Sequence, residues 1–220
     1  MSKKLFLLLI VLVLAILAAC SKQNTEVATG FTPEILPLPA QLTTYEAMVI
    51  PADNALTPEK AALGRQLFFD ERLSVDGSKS CYSCHVCEHG LTDGLPKAIG
   101  PGNKQLPRHS PTLWNIGYHK EFYWDGRSPS LEKQAMAAWT GGNMGVGDKQ
   151  AEVVARINAL QGYRSQFEKI FQGPASAENI MKAIASFERT IISGNTAWDR
   201  YQAGDKSAIS ESAFRGSNIF

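Results

Sequence analysis

The stretch KSCYSCHVCEHG, residues 79–90, constrains this chain more than any other, because it packs Cys81, Cys84, His85, Cys87 and His89 into one short segment. The chain has four cysteines and the fourth is Cys20, so pairing within the cluster closes no long loop. Cys81-Tyr82-Ser83-Cys84-His85 is a C-x-x-C-H string, the attachment signature for c-type haem. Cysteines one helical turn apart can reach the two vinyl groups of one porphyrin edge, and the adjacent histidine can turn inward to the iron. Two other readings stay open on the residues alone. Cys81, Cys84, Cys87 and His89 could supply four zinc ligands, although structural zinc sites generally draw ligand pairs from separated knuckles. A redox C-x-x-C is the other, but the expected βαβ surroundings are missing.

The first twenty residues, MSKKLFLLLIVLVLAILAAC, begin with two lysines, continue as an apolar run from Leu5 and end on Leu17, Ala18, Ala19 and Cys20. The run is short and ends in small residues, which predicts a signal peptide over residues 1–19. Its last four residues resemble the lipobox of bacterial lipoproteins, in which the cysteine becomes the lipidated first residue, here Cys20. The folded part is then expected outside the cytoplasm, on the periplasmic side, tethered to the membrane only through lipid. A formal net charge of +1 offers no sign of a nucleic-acid partner.

Residues 20–50 are rich in Thr, Pro, Ala and Gln and read as a spacer from anchor to domain. Beyond it, Thr57 as N-cap, Pro58 at the first helical position and Ala62, Leu63, Leu67 and Phe68 at helical spacing predict a helix from residue 58 to about 69. Residues 90–129 are dense in Gly, Pro, Asn and Asp, and predict a long loop region folded over something. Further helices are expected in SLEKQAMAAWT, KQAEVVARINAL, YRSQFEKIF and SAENIMKAIASFERTIIS, the last capped by Ser176. TPEKAALGRQLF, residues 57–68, also aligns without gaps on ISESAFRGSNIF, residues 209–220, matching Glu59, Ala61, Gly64 and Phe68 with Glu211, Ala213, Gly216 and Phe220.

Leu67-Phe68-Phe69-Asp70 before the cluster, LTDGLPKAIG after it, PRHSPTLWNIG and FYWDGRSPSLEKQA resemble, in that order, the first haem domain of the bacterial dihaem cytochrome c peroxidases. That family includes relatives that oxidise protein side chains. The resemblance implies a mainly α fold: a cytochrome c-like haem domain with long ordered loops over residues 51–205, then the start of a second such domain over residues 206–220. It implies haem c, held by Cys81 and Cys84 with His85 as proximal ligand, and hydrogen peroxide reduced to water with electrons from a reduced cytochrome c or cupredoxin. A second copy of the chain, in a homodimer, is another partner to consider.

Several positions follow from the same resemblance. Trp124 stands where the family has a residue between the two haems, although plain core packing is the alternative. Arg127 could pair with a haem propionate or with a nearby carboxylate. Pro101 stands where many members have a displaceable distal histidine, which would leave the iron open. Asn143 stands where members have a distal glutamate; an amide can orient peroxide but cannot act as acid or base. Met144 beside it could instead ligate iron and make a pure electron carrier. Glu121, Asp148, His109 and His119 are other acid or base candidates nearby. The resemblance also implies a calcium ion, but His109 replaces an asparagine there, and imidazole is a poor ligand for so hard a cation.

Overall fold

The computed structural model describes residues 35–40 and 47–219. The leader, Cys20 and most of the spacer lie outside the described residues, as does Phe220. Among the described residues no helix is long and apolar enough to cross a membrane.

Seven α-helices and no strands make up the described part, all within the unit Pro33–Phe220. They are α1 (Pro58–Phe68), α2 (Leu131–Thr140), α3 (Gln150–Asn158), α4 (Gln161–Phe171), α5 (Ala177–Glu188), α6 (Ala197–Gln202) and α7 (Glu211–Ser217). The start of α1 follows from its chemistry: the Thr57 hydroxyl accepts from the Lys60 amide at 3.2 Å, and Pro58 occupies a position whose amide has no helical partner. Ser130 and Ser176 cap α2 and α5 in the same way.

The core is the crossing of α1 on α5, with α2 against α5 and the α3–α4 pair alongside. Leu63, Leu67 and Phe68 of α1 meet Ile180, Met181, Ala183 and Ile184 of α5, all buried. Gly64 permits the close approach, because a Cβ there would overlap the Ala183 carbonyl. A buried polar chain stitches the same elements. Lys60 Nζ donates to Asn54 Oδ1 at 2.9 Å, Asn54 Nδ2 to Glu132 Oε1 at 2.7 Å, and Arg189 to both Glu132 oxygens at 2.6 and 3.2 Å.

Residues 90–129 contain no α-helix or strand, as expected. Single antiparallel bridges, Val86 to Thr92, Ile99 to Gln105 and Phe122 to Ser128, close successive loops instead. Other expectations shift at their edges. The helix expected from Tyr163 starts two residues earlier, at Gln161, and α5 ends at Glu188, short of Ile191 and Ile192. Helix α6 carried no apolar periodicity and was not anticipated; Thr196 and Asp199 build it with a reciprocal capping box. Met48, inside the expected spacer, is only 7% exposed and sits beside Gly117. The repeat is only approximate in space: the cap of α7 is Ser210, whereas gapless alignment sets Ile209 opposite Thr57. Gly216 also lacks the close neighbour that Gly64 has.

Candidate functional site

Cys81–Ser83 forms a single 3₁₀ turn, closed by the Cys84 amide donating to the Cys81 carbonyl at 3.1 Å. Ser80 and Ser83 lock its entry, the Ser80 amide donating to Ser83 Oγ at 3.0 Å. After His85 the chain doubles back through Gly90, whose φ of +68° suits glycine, and the Val86 amide donates to the Thr92 carbonyl at 2.9 Å. This reversal sets the Leu91 carbonyl 2.9 Å from His85 Nδ1. Nδ1 is thereby engaged, and Nε2 is the nitrogen left for a metal. Burial pushes His85 down, toward the neutral imidazole that ligates, with the Leu91 carbonyl opposing. Ser110 Oγ donates to the Cys84 carbonyl at 2.8 Å and Thr112 Oγ1 to the Gly90 carbonyl at 2.7 Å, so the PRHSPT segment straps the attachment loop in place.

Cys81, Cys84 and His85 all face a cavity of about 730 Å³. That volume lies within the range of small-molecule and cofactor sites. Much of its wall is apolar, from Leu106, Leu113, Ile116, Phe122, Trp139 and Ile184. At another part of the wall Asp125 sits between two guanidiniums, Arg108 at 3.0 Å and Arg127 at 2.7 Å. The Arg127 hydrogen bond and that of Arg108 hold the Asp125 carboxyl below its usual range. One cationic charge is therefore in excess there, and Arg127 also stacks 3.5 Å from the Tyr123 ring.

Of the expected site residues, Trp124, Arg127, Asn143 and Met144 all line this cavity. Trp124 is 67% exposed and lies outside the hydrophobic core of the described residues. Arg127 has the carboxylate partner considered for it, Asp125. Asn143 is exposed while Met144 is buried. Pro101 is not on the cavity wall; its ring packs toward Gly145, and Ala98 and Leu106 border the cavity from that loop. Among the acid and base candidates only His109 reaches the wall, with Nδ1 2.7 Å from the Leu95 carbonyl. Glu121 and Asp148 lie off it, and His119 borders a separate cavity of about 150 Å³.

Three wall residues went unnoticed in the sequence. Arg108 lies inside the PRHSPT segment, but only the fold brings it to Asp125. Gln134 faces the cavity from α2. Glu188 ends the α5 face that presents Met181 and Ile184 to the cavity, and is 5% exposed. Its signal was an acidic residue at helical spacing on an apolar face.

The donor set fits haem c and argues against the alternatives. Cys87 and His89 are exposed and off the cavity, and no three His, Cys, Asp or Glu among the described residues converge to hold a metal ion. The geometry therefore does not favour the four-ligand zinc alternative. Burial pushes the Cys81 and Cys84 thiols up, the opposite of what a redox C-x-x-C needs. A helical fold without strands, with a C-x-x-C-H turn facing an apolar cavity, defines a c-type cytochrome class of protein.

Comparison with known proteins narrows the class. Residues 58–207 match the family model described as di-haem cytochrome c peroxidase, and the chain belongs to that family. It is 40% identical over 203 residues to the methylamine utilization protein MauG of Methylorubrum extorquens, covering 91% of this chain and 57% of MauG. It is 31% identical to the cytochrome c peroxidase Ccp of Escherichia coli, covering 93% of this chain and 43% of Ccp. A solved MauG-like protein associated with microbial copper homeostasis superposes with a TM-score of 0.73 at 32% identity, over 86% of this chain and 53% of that one. The chain thus spans about half the length of the relatives it matches.

Proposed function

We propose that this chain carries the peroxide-reacting haem of a dihaem cytochrome c peroxidase. The observation that carries the reading is the single cavity faced by Cys81, Cys84 and His85, with His85 Nδ1 already engaged by the Leu91 carbonyl. Haem c held there supplies an iron that exchanges electrons, so that hydrogen peroxide takes up two electrons and two protons and leaves as water. Cys81 and Cys84 anchor the porphyrin edge covalently, and His85 ligates through Nε2. The hydrogen bond at Nδ1 fixes the ring and raises the basicity of the ligating nitrogen. Arg108 and Arg127, sharing one Asp125, have charge to spare for a propionate. Asn143 orients peroxide by hydrogen bonding, and Trp124 assists electron passage toward a second haem elsewhere in the full-length protein.

The electrons come, in this reading, from a reduced cytochrome c or cupredoxin. The protein works on the periplasmic side of a bacterial membrane, anchored through lipid on Cys20, with residues 206–220 opening a second haem domain. A second reading rests on Met144, buried on the cavity wall, where it could close the iron and leave an electron carrier. Oxidation of a partner protein is a third reading within the family.

Absorbance and electron paramagnetic resonance of the haem-loaded full-length protein separate these. A high-spin ferric signal is expected for the peroxide-reacting site, and a wholly low-spin His/Met spectrum would exclude it. Peroxide turnover with a reduced donor then distinguishes peroxide removal from partner oxidation.

A further inference from the structure

Only two carboxyl groups border the cavity among the described residues, and their surroundings differ. Asp125 is exposed and held by two guanidiniums. Glu188 is 5% exposed, and its Oε2 has no hydrogen-bond partner. The neighbouring Arg189 makes no hydrogen bond to it: both terminal guanidinium nitrogens bond Glu132, and the buried Arg189 Nε is also without a partner. Glu188 is also the last residue of α5, where the negative end of the helix dipole opposes a carboxylate.

We propose that Glu188 is a proton acceptor coupled to electron transfer at this site. Its carboxylate binds one proton from solvent when one electron enters the haem anchored at Cys81 and Cys84, and releases that proton when the electron leaves. The inference rests on the haem reading above. An electron added to a poorly solvated cavity raises the cost of any fixed negative charge nearby, and an unpaired carboxylate can relieve that cost by protonation.

The other groups do not fill this role. His85 is the ligand, Asp125 stays ionised between its arginines, and His109 is half-buried with Nδ1 already engaged 2.7 Å from the Leu95 carbonyl. The titratable and charged groups facing Glu188 are the Cys81 thiol from the attachment turn, Glu132 from α2, and Arg189 next along the chain. Burial pushes the Glu188 carboxyl up to about 8; Arg189 opposes the rise and Glu132 adds to it. Formation of the thioether at Cys81 removes that thiol from the titration.

The test is the haem midpoint potential of the loaded full-length protein as a function of pH, set with a soluble one-electron reductant and mediators and followed by absorbance. A wild-type potential that falls as pH rises above about 8 is expected, because below that the buried carboxyl already carries its proton. The limit is a tenfold change in the reduction equilibrium per pH unit, about 59 mV for one electron. In Glu188→Gln, which keeps size and polarity but cannot ionise, that slope is expected to flatten, and Glu188→Asp is expected to restore it. An equal slope in wild type and Glu188→Gln overturns the proposal, and such a result would point to His109 or a propionate.

Should Glu188→Gln fail to retain haem, the infrared difference spectrum of wild type, reduced minus oxidised and recorded above about pH 8, decides. A protonated-carboxyl C=O band gaining intensity on reduction supports the coupling, and its absence overturns it. A pyridine haemochrome assay run first separates the two levels: wild type without covalent haem refutes the haem reading itself.

Discussion

At the residue scale, chemistry that is local in sequence is dependable only where the surroundings agree. Asp70, eleven residues before Cys81, shows how burial and hydrogen bonding compete. Burial alone would raise its carboxyl, but hydrogen bonds from Arg72, at 2.8 and 2.7 Å, and from Tyr163, at 2.7 Å, hold it below the usual carboxylate range. A depressed carboxyl contributes stability above its unfolded pKa and loses it as pH falls through its folded pKa. Asp70→Asn is therefore expected to lower stability by about 1–3 kcal/mol at neutral pH, with the gap from wild type closing in acid, as read by urea unfolding at several pH values. Cys87 gives a second check. Because it is exposed and off the cavity, Cys87→Ser is expected to leave covalent haem unchanged, whereas Cys81→Ala or Cys84→Ala lowers haem staining on a denaturing gel.

At the scale of elements, the α1–α5 crossing positions the site, since α5 brings Met181, Ile184 and Glu188 to the cavity. Gly64→Ala would push a methyl group into the Ala183 carbonyl, and overpacking of that kind costs about 1–3 kcal/mol or more. The expected result is a lower thermal midpoint with similar helix content by circular dichroism. The buried Glu132–Arg189 pair ties α2 to the end of α5. Glu132→Gln leaves Arg189 uncompensated, so a loss of about 3–5 kcal/mol is expected in chemical unfolding. The caps of α1 and α5 were legible in Thr57-Pro58 and Ser176, because capping is settled within three residues. Helix α6 was not, since six residues are too few to display a period.

At the scale of the whole molecule, the chain spans about half the length of the relatives it matches and belongs to a family described as di-haem, and in the proposed function it is one part of a larger electron path. The full-length protein is expected to contain two haems per polypeptide by pyridine haemochrome, and residues 1–220 alone are expected to turn over peroxide poorly with a protein donor. Comparable turnover by the short chain would remove the need for a second haem.

The sequence by itself determined the C-x-x-C-H turn and the helical class, because spacing, caps and apolar periods are properties of adjacent residues, and its ordered motifs carried the resemblance to the family. Only the tertiary structure decided which side chains share the cavity. It set Arg108 beside Asp125 across 17 positions, moved Pro101 off the wall, left Trp124 exposed, and turned Glu188 inward without a partner for Oε2. Burial and pairing depend on elements far apart in the chain, and no local pattern records which of them will meet.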